Sequence, residues 1–427
     1  MNSGWEELQK MPLTYIDIFA GAGGLSEGFI RNGYIPIAHV EMKREACLTL
    51  KTRICYYYLK KNHQIEIYKK YLRSEITREE LYSKVPSELL NTVIQETMCS
   101  EGMPNLFSKI DKLMKNQNIK NVDVLVGGPP CQAYSLVGRA RSSSNMEGDS
   151  RNFLYQLYAD VLEYYQPTMF VFENVLGLLS AKGGDYLKKM KERFQEVGYC
   201  LDMKVLTASN YGVLQKRRRV ILIGKKHSIQ EQFKYPEVIE RNAFFVDYKV
   251  RDLLSDLPPL QPGEEKNYYQ SLPTQYLLDS GIREPDDILT WHIARPNREQ
   301  DRDIYRYVIK AWDENETRLK YTDLPKELCT HKNRTAFLDR FKVVAENQHT
   351  AQTMVAHISK DGHYFIHPDI NQARSLSVRE AARIQSFPDN YFFEGGRTAV
   401  FLQIGNAVPP LMADAIAVSV KKTLEEE

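Results

Sequence analysis

The pattern of apolar and polar residues along the first half of the chain predicts a sheet of mainly parallel strands. Short apolar runs alternate with stretches of helical periodicity, and the runs are nearly continuous, as in strands covered on both faces. The runs lie at residues 14–19, 35–41, 122–126, 169–173, 201–206 and 220–223. Since the chain opens in the order strand, glycine turn, helix, strand, we predict a doubly wound, Rossmann-like α/β fold.

Two segments depart from this pattern. Residues 55–118 have apolar residues at helical spacing and predict a long helical insertion. Residues 225–370 contain many prolines and isolated aromatic residues and lack any α/β alternation, which predicts a separate, irregular domain. The α/β pattern returns at residues 371–427. We therefore predict a catalytic domain at 1–224, a smaller domain at 225–370 and a C-terminal segment that rejoins the first domain.

The helical insertion also contains a basic and aromatic surface. Three consecutive tyrosines begin at Tyr56, and lysines and an arginine follow at Lys60, Lys61, Lys69, Lys70 and Arg73. Such a cluster either contacts nucleic acid or is a solvated helix face, and we favour the second interpretation.

Composition narrows the class of protein. With 43% hydrophobic and 26% charged residues, the chain has the balance of a soluble globular protein. We expect no membrane span and no signal peptide, because no apolar run is long enough and Glu6 and Glu7 stand near the start. The six cysteines form no Cys-x-x-Cys pair, so we predict no metal site, no disulfide framework and a cytoplasmic location. Because the net charge is only +2, a nucleic-acid surface would require local clustering of basic residues.

The segment Asp17–Gly24 is a glycine-rich turn between a predicted strand and a predicted helix. Glycines allow a ligand to approach the backbone closely. The third spaced glycine of the dinucleotide-binding motif is missing, because Ser26 stands there. Glu41 ends the second strand, where an acidic residue can bind ribose hydroxyls. The two features together indicate a nucleoside-bearing cofactor.

Four further motifs follow in order. Gly-Gly-Pro-Pro-Cys-Gln at 127–132 places Cys131 just past a buried strand, although a lone cysteine is more often a small buried hydrophobe. Phe-Glu-Asn-Val at 172–175 places Glu173 at the end of the next strand, and Gln-Lys-Arg-Arg-Arg at 215–219 precedes the last strand. Gly-Asn-Ala-Val-Pro-Pro occupies 405–410. Taken singly, Glu173 could be a surface charge, the arginine run could be a solvated turn, and the last motif could be the start of a helix.

Taken together, the motifs resemble those of the DNA (cytosine-5) methyltransferase family. The match also includes Arg-Ser-Leu-Ser at 374–377 and Arg-Ile-Gln-Ser-Phe-Pro at 383–388, and all motifs stand in the family's unpermuted order. The resemblance covers residues 14–54, 120–224 and 372–422. It implies a Rossmann-like sheet that binds S-adenosyl-L-methionine, with residues 225–370 as the target-recognition domain.

The resemblance also implies the roles of individual residues. Cys131 would attack carbon 6 of cytosine as a thiolate, although a free thiol has a pKa of about 8.5 and needs activation by its site. Glu173 would bind ring nitrogen 3 as a neutral or proton-sharing acid, with Arg219 holding it and Arg217 as the second family arginine. In the cofactor site Phe19 would stack on adenine, Glu41 would bind ribose and Asn406 would reach the amino-acid end. The other expected cofactor contacts are Gly21, Gly23, Gly24, Leu25, Met42, Pro130, Leu154 and Val408.

The substrate implied by the resemblance is double-stranded DNA with a short specific site. A stacked base cannot reach these groups, so the target cytosine must be flipped out of the duplex. The small, basic segment after the nucleophile fits a loop that closes over DNA. The expected DNA contacts are Gln132, Ser135, Arg139 and Arg141. In the recognition domain, residues 331–334 and 340–342 are either DNA contacts or solvated charges.

Several points stay open in the sequence. The acid that contacts the adenine is not identifiable within the insertion, and Glu96 and Asp111 are the two candidates. The RNA-methylating branch of the family shares the core motifs, but its usual Cys-Phe-Thr element is not found here. A non-catalytic scaffold is disfavoured by the intact Cys131 and Glu173. The resemblance further implies a monomeric, nucleoid-associated prokaryotic enzyme that works alongside a restriction endonuclease without a stable complex.

Overall fold

The seven strands form one mixed sheet whose centre lies between two helical layers. The computed structural model describes residues 12–130, 154–227, 233–241, 245–329 and 338–426. The strands are β1 Thr14–Ile18, β2 Ile35–Glu41, β3 Val93–Gln95, β4 Val124–Gly127, β5 Met169–Asn174, β6 Tyr199–Thr207 and β7 Arg218–Lys226. Their order is β3-β2-β1-β4-β5-β7-β6, and β7 runs antiparallel to both of its neighbours. The predicted α/β class is thus confirmed.

Fifteen helices of the described ranges cover the sheet and build the rest of the molecule. They are α1 Gly24–Arg31, α2 Arg44–Lys61, α3 Ile65–Leu72, α4 Arg78–Tyr82, α5 Ser87–Leu90, α6 Met103–Asn116, α7 Leu154–Tyr165, α8 Gly177–Ser180, α9 Asp185–Glu196, α10 Arg251–Leu254, α11 Gln275–Asp279, α12 Glu299–Asn315, α13 Val378–Ile384, α14 Arg397–Asn406 and α15 Pro410–Glu425. Short 3-10 turns occur between several of them.

Strand β3 shows that residues 55–118 are more than a helical insertion. Val93 pairs with His39 and Gln95 with Glu41, so β3 forms one edge of the sheet. The strand has only three residues. Val93 also continues the helical spacing of Leu81 and Leu89, which is why the apolar pattern predicted a helix there. The insertion therefore contains part of the sheet, together with the end of α2 and the helices α3 to α6.

Four parallel strands end at one edge of the sheet. Ile18 of β1 pairs with Val40 of β2 and with Gly127 of β4, and Gly127 pairs with Phe172 of β5. The residues that follow these positions therefore meet at the carboxyl edge, where open α/β sheets bind their ligands.

The C-terminal helices pack into this catalytic core. Gly28 of α1 lies directly against α15, since a Cβ there would come 2.3 Å from the backbone carbon of Ala413. Arg397–Glu425, which comprises α14 and α15, is the one described stretch long and apolar enough to cross a membrane, and 78% of its apolar window is buried in the protein. Burial of that extent is typical of core helices.

The segment 225–370 does not form one separate unit. Its later part has a core of its own, built by α12 and neighbouring residues such as Tyr321, Phe341 and Ile366. Its earlier part shares a core with the C-terminal segment, where Val250 and Tyr276 pack in the same cluster as Leu376 and Phe401. We call residues 299–343, from α12 onward, the recognition module, after the role that the sequence predicts for this segment. A deletion from residue 228 to 368 would therefore remove residues that pack against the C-terminal segment together with this module.

A buried charge network joins the two parts of that shared core. Asp256 accepts hydrogen bonds from Arg383 Nη1 at 2.5 Å and Nη2 at 3.1 Å, and it also pairs with Arg283. Arg383 donates in addition to Asp389 at 2.6 Å and 2.9 Å. The side chains of Asp256 and Arg383 are fully buried. The network thus fixes the segment before the recognition module to helix α13.

We expect Asp256→Ala to lower the free energy of unfolding by about 3–5 kcal/mol, because it leaves the buried Arg283 without its carboxylate and removes one of the two carboxylates that pair with Arg383. Asp286→Ala is the matched control: that carboxylate is 70% exposed and pairs with Lys69, so its loss should cost less than about 1 kcal/mol. Urea unfolding followed by circular dichroism measures both values. Equal small losses for both variants would contradict the role of the buried network.

Candidate active site

The glycine turn after β1 has a backbone that few residue types adopt. Phe19, Gly21 and Gly23 have φ values of 59°, 56° and 79°. A positive φ is uncommon for an aromatic residue and often marks a functional position. A Cβ at Gly24 would lie 2.3 Å from the carbonyl oxygen of Val408, so only glycine allows the C-terminal segment to close on the turn. Phe19 itself is half-buried.

Glu41 holds this turn in place. Its Oε2 accepts a hydrogen bond from the Gly21 N–H at 2.9 Å, and its Oε1 accepts one from the Lys43 N–H at 2.7 Å. Each carboxylate oxygen retains a second lone pair for a ligand hydroxyl. The neighbouring predicted contacts differ in burial: Leu25 is buried, Leu154 is half-buried in the same apolar cluster as Phe19, and Met42 is 47% exposed.

Asp17 is a site residue that sequence reasoning missed. It is 1% exposed, and its Oδ2 accepts a hydrogen bond from Ser26 Oγ at 2.5 Å. Burial raises the pKa of Asp17 to about 7; the Ser26 hydrogen bond lowers it and the charge of Glu41 raises it. The signal was present in the sequence, because an acidic residue inside the apolar run Tyr-Ile-Asp-Ile-Phe needs a buried partner. Ser26, where the dinucleotide motif has glycine, is that partner.

Asp17→Asn should reduce the pH dependence of stability. Since the folded-state pKa of about 7 lies above the ordinary value of 3.8, the native state binds more protons than the unfolded chain. The wild-type protein therefore loses stability as the pH rises from about 4 through 7. The asparagine variant lacks this titration, so its free energy of unfolding should fall less between pH 5 and pH 8. Equal slopes for the two proteins in urea titrations would contradict this assignment.

The ends of β4 and β5 meet at Gly128 and Pro129. A Cβ at Gly128 would lie 2.6 Å from Glu173 Oε2, so glycine is required for the carboxylate to reach this place. Asn174 Nδ2 donates to the Pro129 carbonyl oxygen at 3.5 Å, which ties the two strand ends together. Pro130 is exposed at the end of the first described range. Cys131, Gln132, Ser135, Arg139 and Arg141 lie outside the described residues.

Glu173 and Arg219 form the pair that the sequence predicted. Arg219 Nε lies 2.6 Å from Glu173 Oε1, and each side chain is about nine-tenths buried, at 11% and 12% exposure. The contact is a close ion pair rather than an aligned hydrogen bond, since Nε makes no hydrogen bond within the described part of the chain. The pair brings a carboxylate and a guanidinium to the carboxyl edge of the sheet beside Gly128, which stands three residues before Cys131 in the sequence.

Arg217, expected beside the catalytic residues, is bonded to backbone carbonyl groups of the later segments of the chain. It is fully buried, and its guanidinium donates to the carbonyl oxygens of Met354 at 2.5 Å, Ala407 at 2.9 Å and Gly405 at 3.2 Å. Arg217 lies before β7, whereas Arg219 lies within it and is paired with Leu206 of β6. The structure thus separates two arginines that the motif had grouped.

The cofactor loop, residues Gly405–Val408, brings Asn406 to the glycine turn. Asn406 is the last residue of α14 and is exposed. Val408 is buried and lies against Gly24. The loop therefore places Asn406 two residues before the contact between Val408 and the glycine turn.

The structure distinguishes between the two candidate acids of the insertion. Glu96 directly follows β3, and its N–H donates to the Glu41 carbonyl oxygen at 3.0 Å. Asp111 lies in α6 and accepts hydrogen bonds from Tyr164 at 2.8 Å and Tyr165 at 3.0 Å. Only Glu96 therefore stands at the carboxyl edge, where its side chain pairs with Lys109.

The basic and aromatic surface of the insertion is engaged within the protein. Lys69 pairs with Asp286, and Lys60 lies 3.4 Å from Glu284. Arg73 pairs with Glu66 and Glu75. These contacts support an internal structural role over a nucleic-acid surface.

Within the recognition module, the predicted basic contacts also have partners. Arg340 lies 3.5 Å from Asp361, Lys342 pairs with Asp339, and Phe341 is buried in the module's core. Residues 331–334 lie outside the described ranges. No three His, Cys, Asp or Glu side chains converge as metal ligands in the ranges that the structure describes.

The Rossmann-like sheet and the convergence of its motifs at the carboxyl edge are typical of a methyltransferase. Residues 92–422 match the sequence model of the C-5 cytosine-specific DNA methylases, and the chain belongs to this family. It is thus a cytosine-5 DNA methyltransferase, of the restriction-modification type.

Individual relatives agree with this assignment. The chain is 42% identical to the type II methyltransferase M.Bpa9945I of Bacillus paralicheniformis, over 96% of this chain and 99% of that protein. It is 30% identical to the type II methyltransferase M1.HphI of Haemophilus parahaemolyticus, over 96% and 87% of the two chains. The fold is similar to that of a candidate DNA modification methyltransferase from an Escherichia coli prophage, with a TM-score of 0.62, 22% identity and 97% and 100% coverage.

Proposed function

We propose that this enzyme uses S-adenosyl-L-methionine to methylate carbon 5 of a cytosine that is flipped out of duplex DNA, through a covalent bond to Cys131. The observation that supports the proposal most strongly is the Glu173–Arg219 pair, which lies against Gly128, three residues before the nucleophile. A stacked base could not reach that buried pair, so base flipping is required.

The residues around the glycine turn fit this cofactor. A Cβ at Gly21 would meet no atom within 4 Å, so there is open space above the turn. Glu41 offers carboxylate oxygens to ribose hydroxyls, Phe19 offers a half-buried ring to the adenine, and the exposed Asn406 amide suits the amino-acid end. Leu25, Met42, Pro130, Leu154 and Val408 complete the proposed pocket, with Glu96 as the acid nearest the adenine. When bound, this cofactor supplies an electrophilic methyl group.

The chain's own groups supply the remaining chemistry. The Cys131 thiolate forms a bond from Sγ to carbon 6 of cytosine, and the electron pair of the 5,6 double bond makes carbon 5 nucleophilic. Glu173 holds a proton at ring nitrogen 3, while Arg219 fixes the Glu173 carboxylate and reaches the base carbonyl. After carbon 5 is methylated, loss of its proton restores the double bond and expels the Cys131 thiolate.

Other parts of the proposal concern the cellular setting. Gln132, Ser135, Arg139 and Arg141 are proposed DNA contacts in the segment after the nucleophile. The type II names of the relatives support functional pairing with a restriction endonuclease, whose cleavage a methylated site would block. We further propose that the protein acts as a monomer in the prokaryotic cytoplasm.

The test is transfer of a labelled methyl group from S-adenosylmethionine to duplex DNA, compared with transfer RNA under the same conditions. We expect label in DNA only, and bisulfite sequencing of DNA from a host that expresses the protein should then identify one short site. Label in RNA alone, or in neither nucleic acid, would overturn the proposal.

A further inference from the structure

Arg217 of the Gln-Lys-Arg-Arg-Arg motif is bonded to two segments that are distant in sequence. It is fully buried, and its two terminal nitrogens donate to the backbone carbonyl oxygen of Met354 and to those of Gly405 and Ala407. Hydrogen bonds from a charged donor are stronger than neutral ones. The residue thus joins these two segments to its own at one point.

Two of these carbonyl groups belong to the end of α14. The last carbonyl groups of a helix have no partner within the helix, and the negative end of the helix dipole favours a cation. At Gly405 and Ala407, Arg217 both donates hydrogen bonds to the carbonyl groups and places a positive charge at the helix end. These two residues directly flank Asn406. Gln385 Nε2 also donates to the Ala407 carbonyl oxygen, at 2.5 Å. The position of the Asn406 amide therefore depends on Arg217 and Gln385.

The third carbonyl group belongs to the recognition strap, which we define as residues Ala351–Ala356. The strap follows the recognition module and is bonded to the motif along its length. Lys216 N–H donates to the Ala351 carbonyl oxygen at 2.9 Å, and Ala351 N–H donates to that of Leu214 at 2.9 Å. Gln215 Oε1 accepts from the Met354 N–H at 2.8 Å. The strap is therefore fixed to the residues that lead into β7.

The strap also touches α14 directly. A Cβ at Gly405 would lie 2.3 Å from the Ala356 backbone nitrogen, so the helix end and the strap are in backbone contact. From these contacts we infer that the recognition strap is a structural part of the cofactor site, and that Arg217 is the positioning residue that holds the Asn406 loop against it. This inference rests on the proposed cofactor site at Asn406. It separates Arg217, which sets cofactor affinity, from Arg219, which acts on the base.

The same substitution at the two arginines tests the inference. Lysine keeps the charge but lacks the planar fork that binds several acceptors at once. Arg217→Lys should weaken binding of S-adenosylhomocysteine about tenfold or more and raise the KM for S-adenosylmethionine, with a smaller change in kcat. Arg219→Lys should lower kcat while the Kd for S-adenosylhomocysteine stays within about twofold of the wild-type value. Arg218→Lys, at an exposed neighbour, is the control and should leave that Kd unchanged.

Calorimetry without DNA gives the Kd, and methyl transfer to long bacteriophage DNA gives kcat and KM. A wild-type protein that does not bind S-adenosylhomocysteine would overturn the proposed function. Wild-type affinity in a folded Arg217→Lys protein, with only kcat reduced, would overturn the inference alone. If Arg217→Lys does not melt cooperatively, Gln385→Met takes its place, since it removes the second donor to Ala407. Weaker binding by that variant supports the inference, and unchanged binding overturns it.

Discussion

Replacing Cys131 by serine should lower methyl transfer by more than about 10³-fold while cofactor binding is retained. A hydroxyl group is a far weaker nucleophile than a thiolate, so the bond to carbon 6 would not form. The groups proposed for the cofactor, Phe19, Glu41 and Asn406, lie on other segments of the carboxyl edge. Labelled methyl transfer and calorimetry with S-adenosylhomocysteine measure the two properties separately.

A covalent trap provides the control for this variant. DNA with 5-fluorocytosine at the target position should form an adduct with the wild-type protein, because fluorine cannot leave carbon 5 as a proton does. The adduct should require S-adenosylmethionine, appear as a shifted band on a denaturing gel and be absent for Cys131→Ser. Normal turnover by the serine variant would exclude the covalent mechanism.

Much of the sheet could be predicted because buried parallel strands are continuous apolar runs. The runs ending near Ile18, Glu41 and Glu173 gave both the strands and the residues at their carboxyl ends. Strand β3 could not be found in this way, because three residues are too few to show a periodic pattern of apolar positions. Val93 also fits the apolar spacing of a helix. The boundaries of the recognition module could not be predicted for a different reason. Irregular sequence indicates loops but does not say against which core the loops pack, as Val250 and Tyr276 show.

In the candidate site, too, sequence motifs predicted some residues correctly, whereas contacts between distant segments could not be predicted. The family resemblance of the motifs implied the Glu173–Arg219 pair, and the structure contains it. Arg217 and Arg219 are chemically identical in the sequence, and only the packing of residues 354, 405 and 407 separates their contacts. Asp17 was visible as an acid in an apolar strand, but its partner Ser26 was interpreted only as a missing glycine. Side chains that act through tertiary contacts are therefore the ones that sequence motifs assign least well.

Glu173→Gln should lower kcat by about 10²–10⁴-fold, the usual range for loss of proton transfer by a positioned acid. The amide keeps the shape of the side chain and can still hydrogen-bond the base, but it cannot give a proton to ring nitrogen 3. It also leaves Arg219, now 2.6 Å from the carboxylate, without a countercharge. The Kd for S-adenosylhomocysteine should stay near the wild-type value, because within the described residues no hydrogen bond or ion pair joins the Glu173 carboxylate to Phe19, Glu41 or Asn406.

Gly128→Ala tests the position of the same carboxylate without changing its chemistry. The added methyl group would lie 2.6 Å from Glu173 Oε2, closer than a real Cβ contact allows, so the carboxylate or the loop before Cys131 must shift. Since misplacement of about 1 Å can cost about 10²-fold in rate, we expect kcat to fall by that order with little change in cofactor affinity. Single-turnover methyl transfer to bacteriophage DNA measures the rate for both variants. If Glu173→Gln turned over normally while Gly128→Ala did not, the loop rather than the carboxylate would be the essential element, and the acid role of Glu173 would be wrong.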